Sequence, residues 1–415
     1  MAVLSLAVSG EAPVRERTGL SSRLTETLNA FRDRHGFPGA TAAIALADGR
    51  IATAFTGLAD IEAETRMTSG TRMLAASIGK TFVAATVLAL ESDGLLSQTD
   101  LLAAHLHDKP WLADLPNAET ITLGHLLRHQ SGLRDHTHLP AFQAAAAARF
   151  ASDRPAFTPA ELLGFVSGQD ALFQAGGAWA YSDTGYILLG LVIEKVAGRT
   201  YYEVVQERFL EPLGLAGTIP SDRPDIPGLA VGYTIKDNPF GLPERTADAD
   251  GTLLWDPAVE WTGGGLASTS RDLACWGHAL FGGGAMIAPY LDRLLDGVAM
   301  APDRPGIRYG TGVSIRTETP RGPVYGHAGW VPAYVSSLRH YADHAVTVAF
   351  QINTDAGTVD DSSDLVPSLE AALVDLVLSA AVLNRPALPI GPRVQEIPRQ
   401  CAAPAARQKS VARRR

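Results

Sequence analysis

The sequence predicts a mixed α/β (α+β) fold: an antiparallel sheet built from N- and C-terminal strands, flanked by helices, with a mostly helical lobe inserted. Two observations support this prediction, namely a hairpin pattern near each end of the chain and a middle third rich in helix signals. The 415 residues, of which 46% are hydrophobic and 19% charged, have the composition of a globular enzyme or binding protein.

The N-terminal elements follow from periodicity and turn residues. Helical periodicity from Ser22 to Arg34 predicts a first helix. Two apolar runs, 40–46 and 51–56, then flank Asp48 and Gly49. An Asp-Gly pair between apolar runs is typical of a β-hairpin.

A second hairpin is predicted from 334–341 and 345–353, and an amphipathic helix from 364–383 follows it. Between the two hairpins, helix signals occur at 122–129 and at 186–198, where Gly198 is a typical C-terminal residue. These patterns predict three segments: an N-terminal extension (1–19), one domain (20–385) and a disordered basic tail (386–415).

Composition also excludes several kinds of partner. A formal net charge of -9 argues against general nucleic-acid binding, although the tail is basic. No run approaches the ~18 apolar residues of a membrane-spanning helix. The apolar N-terminus has no positive region, so it is not a convincing signal peptide, and a cytoplasmic location stays open. The oligomeric state is not predicted.

Cysteine content predicts neither a metal site nor a disulfide. The only two cysteines are Cys275, in a stretch expected to be buried, and Cys401, in the tail. A disulfide between them is therefore not expected, and a zinc site is untenable. We expect no metal and no cofactor.

Ser77 and Lys80 are the first candidate catalytic pair. They open an apolar helix, where positions three apart share a face. A serine hydroxyl needs a neighbouring base, and a lysine serves as one only if its pKa is lowered. The alternative is a helix-capping serine and a lysine that extends to water. Only five of the 35 Lys and Arg residues are lysines, which favours a chemical role for Lys80.

Two further segments carry candidate residues. Tyr181 and Asp183 precede a helix, and Tyr181 can relay a proton, although a lone tyrosine often only packs. His327 and Gly329, followed by Trp330, precede a strand predicted to begin at Tyr334. Flanking glycines let backbone approach a ligand closely.

Taken together, S-x-x-K at Ser77, Y-x-N-like residues from Tyr181 and H-x-G at His327 resemble the serine β-lactamase and penicillin-binding-protein superfamily. The resemblance is to the branch with class C β-lactamases, DD-peptidases, D-aminopeptidases and related esterases. It spans roughly residues 20–385 and includes the stretches 121–133, 212–215 and 263–273. Members of this superfamily are often periplasmic or secreted.

The resemblance implies a β-lactamase/transpeptidase-like fold and an acyl-enzyme formed on Ser77. It further implies that Lys80 and Tyr181 move the proton and that the N–H groups of Ser77 and Trp330 hold the oxyanion. His327 stands where many relatives have lysine, so it would supply a hydrogen bond or, when protonated, positive charge. The alternative is a structural histidine that fixes a turn.

Two positions depart from the family pattern. Asp183 replaces the usual Asn, so it would pair with Lys80 or accept from a substrate N–H or amine. Ala328 replaces a hydroxyl residue that relatives place near a substrate carboxylate. This pattern favours D-amino-acid amides, D-amino-acid peptides or small esters over strong β-lactam turnover.

Three alternatives stay open. One is a DD-carboxypeptidase or β-lactamase of the same fold, and another is a penicillin-binding or sensor module without turnover. The third, a G-x-S-x-G nucleophile elbow, is poorly matched because Ala75 replaces the first glycine and no strand clearly precedes it. The partners expected are a small molecule, a short peptide or an ester.

Overall fold

The computed structural model describes residues 19–152, 154–287, 289–358 and 363–381. The basic tail and nearly all of the N-terminal extension lie outside these residues. Of the two cysteines, Cys275 is buried and disulfide-bonded, so the expectation that it forms no disulfide is wrong. Cys401 lies outside the described residues.

A nine-stranded sheet forms the centre of the described chain, in the order β3-β2-β1-β12-β11-β10-β9-β8-β7. Three short strands, in the order β4-β6-β5, form a second sheet. The strands are β1 Gly39–Ala45, β2 Ile51–Asp60, β3 Thr65–Arg66, β4 Met73–Leu74, β5 Ile219–Pro220, β6 Leu266–Ser268, β7 Val298–Ala299, β8 Ile307–Tyr309, β9 Ser314–Arg316, β10 Val324–Val331, β11 Tyr334–Tyr341 and β12 Val346–Ile352.

Strands from the two ends of the chain meet in the middle of the large sheet. β1 pairs antiparallel with β2 through the predicted hairpin, and on its other side it pairs antiparallel with β12. Thr41 of β1 therefore lies opposite Phe55 on one neighbour and Gln351 on the other. The predicted antiparallel sheet built from N- and C-terminal strands is confirmed.

Helices cover both faces of this sheet. The first and last described helices pack together and bury leucines such as Leu28 and Leu369 in one core, while a larger core joins the other face to the helical lobe. The helices are α1 Leu20–His35, α2 Gly79–Ser92, α3 Leu102–Leu106, α4 Leu123–Leu127, α5 Pro140–Phe150, α6 Pro159–Gly164, α7 Asp183–Ala197, α8 Tyr201–Val205, α9 Trp261–Gly264, α10 Ser270–Phe281, α11 Leu291–Leu295 and α12 Leu365–Ala381.

Local signals explain most of these boundaries. Gly36 and Gly198 end α1 and α7 in left-handed conformations, which glycine adopts without steric cost. One boundary differs from its prediction: β10 already runs through His327, whereas the sequence predicted a strand only from Tyr334. No helix in the described part of the chain is long and apolar enough to cross a membrane.

Candidate active site

Ser77 lies on a single 3-10 turn, Ala76–Ile78, immediately before α2. Ala76 has a φ of 50°, which is strained for a residue with a Cβ atom. Such strain persists only where the surrounding structure enforces it, and it is concentrated at functional sites. The turn leaves Ser77 partly exposed beside a cavity, while Ala76 and Ile78 are buried.

Two close backbone approaches enforce this turn. A Cβ atom on Gly264 would lie 2.7 Å from the carbonyl carbon of Ala76, and one on Gly329 would lie 2.3 Å from the carbonyl oxygen of Ala75. The Ser336 hydroxyl also donates to that oxygen at 2.7 Å. Strands β10 and β11 are thereby fixed against the residues that precede Ser77.

Lys80 lies one helical turn after Ser77 and is completely buried. Its Nζ donates to Ser77 Oγ at 2.9 Å and to the carbonyl oxygen of Gly263. It also forms an ion pair with Asp183, whose side chain is 17% exposed. The predicted shared face of Ser77 and Lys80 is present, and of the two roles suggested for Asp183 the structure shows the pairing with Lys80.

Tyr181 lies on the loop that leads into α7, and its ring centroid is 5.0 Å from Lys80 Nζ. His129 holds this loop, because its Nδ1 accepts from the Ser182 N–H at 3.2 Å and its carbonyl oxygen accepts from the Ala180 N–H. The rings of His129 and Tyr181 are 4.2 Å apart. The loop is therefore anchored on both sides of Tyr181.

The Tyr181 hydroxyl is buried and makes no hydrogen bond of ordinary geometry within the described residues. Burial raises the pKa of Tyr181 well above its usual value, and the negative charge of Asp183 acts in the same direction, while the Ser77 hydroxyl opposes it. Tyr181 is accordingly a neutral phenol near pH 7, and its chemistry is that of a proton donor.

His327 has both ring nitrogens bonded inside the protein. Nε2 lies 2.8 Å from the Tyr309 hydroxyl, and Nδ1 bonds to the carbonyl oxygen of Ala328. Burial, reinforced by the positive charge of Lys80, lowers the pKa of His327 to about 3. The imidazole is therefore neutral near pH 7, which favours the hydrogen-bonding role, or the structural histidine, over the positive charge among the roles suggested for His327.

Trp330 is at the cavity and is 39% exposed. Its Nε1 donates to Asp355 Oδ2 at 3.1 Å, which fixes the indole. The backbone of Trp330 follows Gly329 on β10, the strand that contacts the Ser77 turn. This placement agrees with the oxyanion role that the family resemblance implies for its N–H group.

A cavity of about 530 Å³ brings these groups together. Ser77, Tyr181, Asp183, His327 and Trp330 line it, as does Gly329, whereas Lys80 lies beneath the Ser77 turn. No group of three or more His, Cys, Asp or Glu residues suited to a metal ion occurs among the described residues. The sequence-predicted site residues thus form one cluster.

Sequence reasoning missed two carboxylates that line the same cavity, Asp135 and Glu260. Asp135 follows the family-like stretch 121–133, and Glu260 precedes the family-like stretch 263–273. Both stretches supported the family resemblance in the sequence, and in the structure each one is adjacent in sequence to a carboxylate that lines the cavity with Ser77. Their proximity to the family-like segments was the signal available.

Comparison with known proteins agrees with this geometry. The sequence model of the family described as Beta-lactamase matches residues 24–373. The chain belongs to the Beta-lactamase family.

Among family relatives, the D-aminopeptidase of Gluconobacter oxydans is 25% identical over 349 residues, covering 80% of this chain and 59% of its own length. Penicillin-binding protein 4* of Bacillus subtilis is 25% identical over 295 residues, covering 68% of this chain and 61% of its own length. The chain therefore spans about six-tenths of these relatives.

A solved structure, the D-stereospecific amidohydrolase from a Streptomyces species, is 26% identical to this chain with a TM-score of 0.71. The likeness covers 86% of this chain and 97% of that one. The β-lactamase-like fold predicted from the sequence is thereby confirmed.

Proposed function

We propose that this protein is a serine hydrolase that works through an acyl-enzyme on Ser77. The observation that carries the proposal is the 2.9 Å contact between Lys80 Nζ and Ser77 Oγ beside the cavity. A buried amine within hydrogen-bond distance of a cavity-facing serine is the arrangement that nucleophilic catalysis requires. Lys80 and Tyr181 are the proposed proton-transfer residues.

The ion pair with Asp183 supplies a route for the proton. As Ser77 Oγ attacks the acyl carbon, its proton passes to Lys80 Nζ, and Lys80 passes one of its own protons to Asp183. The number of protons on Lys80 is unchanged, and the charge lost by Asp183 appears on the substrate oxyanion. Tyr181, a neutral phenol, then donates to the leaving group, and a proton returned from Asp183 through Lys80 restores it.

The proposed substrates are D-amino-acid amides, peptides with an N-terminal D-residue, or small esters. Relatives named D-aminopeptidase and D-stereospecific amidohydrolase support the amide and peptide classes. Ala328 supports the same choice, because it lacks the hydroxyl that would bind a carboxylate on the leaving group. Esters should react fastest in simple assays, since alkoxide and phenolate leave more readily than amide nitrogen.

Arg316 favours a second candidate, a DD-carboxypeptidase. It lines the cavity, its side chain is 46% exposed, and its guanidinium nitrogen is 3.9 Å from Glu370. A guanidinium is well suited to bind the terminal carboxylate of a peptide. This arginine would replace the donor that is missing at Ala328.

The test combines covalent labelling with a substrate panel. We expect a fluorophosphonate to label Ser77 in the wild type and to leave Ser77→Ala unlabelled and inactive, with the labelled peptide identified by mass spectrometry. Labelling of another serine would refute the nucleophile. Labelling of Ser77 without hydrolysis of any substrate in the panel would favour the sensor alternative.

The panel contains p-nitrophenyl acetate, p-nitrophenyl butyrate, D-alanine p-nitroanilide, a peptide ending in D-alanyl-D-alanine, and nitrocefin. In the wild type we expect kcat/KM to be higher for the esters and the D-alanine anilide than for the D-alanyl-D-alanine peptide and nitrocefin. Ala328→Thr should gain activity on the D-alanyl-D-alanine peptide and nitrocefin. If the wild type instead prefers these two substrates and Arg316→Gln abolishes that preference, the carboxypeptidase candidate is established.

A further inference from the structure

Three carboxylates lie at one end of the cavity, but Lys80 forms an ion pair with only one of them. Asp183 is paired with Lys80, whereas Glu260 has no ion pair among the described residues. In the same part of the chain, the only ion-pair partner of Asp135 is the largely exposed ring of His138, 4.0 Å away. That distance is too long for a hydrogen bond. Within the described residues, two carboxylates that line the cavity with Ser77 therefore have no ion pair with a lysine or arginine.

The two carboxylate oxygens of Asp135 differ, because one accepts hydrogen bonds from the protein and the other accepts none within the described residues. Oδ1 accepts from the backbone and hydroxyl groups of Thr137. Oδ2 is buried and accepts no hydrogen bond within the described part of the chain, although Asp135 is only 8% exposed and lines the cavity. A buried carboxylate oxygen without a donor is costly unless a ligand supplies one.

The electrostatics of this end of the cavity show the same deficit of positive charge. Burial raises the pKa of Asp135 to about 6, and the charge of Asp183 adds to that effect. Glu260 is affected in the same way, with its pKa raised to about 8 by burial first and Asp183 second. A cation placed between these groups would relieve both effects.

The geometry limits what that cation can be. The described carboxylates are not grouped closely enough with other ligands to hold a metal ion, and aromatic side chains such as Phe142 and Trp255 form the adjoining cavity wall. An organic ammonium group suits such a site, because its N–H donors need only two or three oxygens and its carbon substituents pack on the apolar wall. In an α-amino acyl donor the ammonium lies two bonds from the carbonyl carbon, and therefore close to Ser77.

We propose that Asp135 and Glu260 form a subsite for the free α-ammonium group of the residue that acylates Ser77. This inference rests on the proposed acyl-enzyme function and narrows its substrate class to unblocked N-terminal residues. Asp183 remains with Lys80 and does not bind the substrate amine.

The experiment compares two anilides that differ only in the amine, D-alanine p-nitroanilide and propionic acid p-nitroanilide. In the wild type we expect kcat/KM to be at least about tenfold higher for the D-alanine compound, since a charge-assisted hydrogen bond typically contributes that much or more. Asp135→Asn and Glu260→Gln should each reduce this ratio by about tenfold. Asp303→Asn, which replaces an exposed carboxylate, is the matched control and should leave the ratio unchanged.

A wild-type ratio near one, or a ratio that both variants retain, would overturn the subsite. If the variants fail to fold, N-acetyl-D-alanine p-nitroanilide tests the wild type directly: turnover equal to that of the unblocked compound would overturn the proposal. Fluorophosphonate labelling of Ser77 and hydrolysis of p-nitrophenyl acetate are measured in parallel. If labelling and ester hydrolysis are observed but the kcat/KM ratio of the two anilides does not change in the variants, only the subsite is refuted. If the wild type shows neither labelling of Ser77 nor ester hydrolysis, the acyl-enzyme function is refuted.

Discussion

Replacing Lys80 with arginine tests the proposed proton route most directly. The side chain is fully buried and contacts Ser77 Oγ, the Gly263 carbonyl oxygen and Asp183. Lys80→Arg keeps the positive charge but introduces a guanidinium that cannot lose a proton near neutral pH. General-base catalysis is typically worth about 10²–10⁴-fold, so we expect kcat/KM to fall by that factor, or about 2.7–5.5 kcal/mol of activation free energy.

The assay is kcat/KM for p-nitrophenyl acetate, together with the rate of fluorophosphonate labelling and the thermal midpoint of unfolding. Lys195→Arg is the matched control, because that lysine is 46% exposed, pairs with Asp108 at 3.2 Å and lies in the last turn of α7, at the opposite end of the helix from Asp183. The control should be unchanged. If Lys80→Arg folds and keeps more than about a tenth of wild-type kcat/KM, a difference of only about 1.4 kcal/mol, Lys80 is not the base.

Three further predictions follow from single contacts. Asp183→Asn cannot accept a proton from Lys80, so kcat for p-nitrophenyl acetate should fall by about tenfold or more; an unchanged kcat would remove Asp183 from the route. Gly329→Ala places a Cβ atom 2.3 Å from the Ala75 carbonyl oxygen, so urea unfolding should show a loss of about 1–3 kcal/mol. Burial raises the pKa of Glu260 to about 8, so folding favours its protonated form and the free energy of unfolding should fall as the pH rises from about 5 to 8. Glu260→Gln should reduce that slope, and an equal slope in both proteins would contradict the assigned cause.

The sequence alone predicts those contacts and connections that depend on local periodicity. The spacing of Ser77 and Lys80 predicts their contact, since residues three apart on a helix share a face whatever the rest of the chain does. The first hairpin was predictable because an Asp-Gly pair lies between two apolar runs. The second was predictable from two apolar runs separated by the short segment 342–344. The family-like segments then predicted which distant parts of the chain converge.

Properties set by tertiary environment were not predictable in this way. The neutral state of His327 depends on burial and on Lys80, which lies about 250 residues away in sequence. The carboxylates of Asp135 and Glu260 come from separate loops, so no spacing in the sequence connects them, and only their proximity to the family-like segments 121–133 and 263–273 could have indicated them. The early start of β10 was missed because Gly326 and Gly329 interrupt the alternation of side chains that identifies a strand.

The pairing of β1 with β12 has a consequence for how activity arises during synthesis. Thr41 and Gln351 are opposite each other in the finished sheet, and Ser336 donates to the carbonyl oxygen of Ala75 beside the nucleophile. A ribosome must therefore translate nearly three hundred residues after the first strand before the Ser77 turn gains the support of Ser336. Domains generally complete folding as units, so nascent chains and C-terminally truncated fragments should carry the serine without a competent hydrolytic centre.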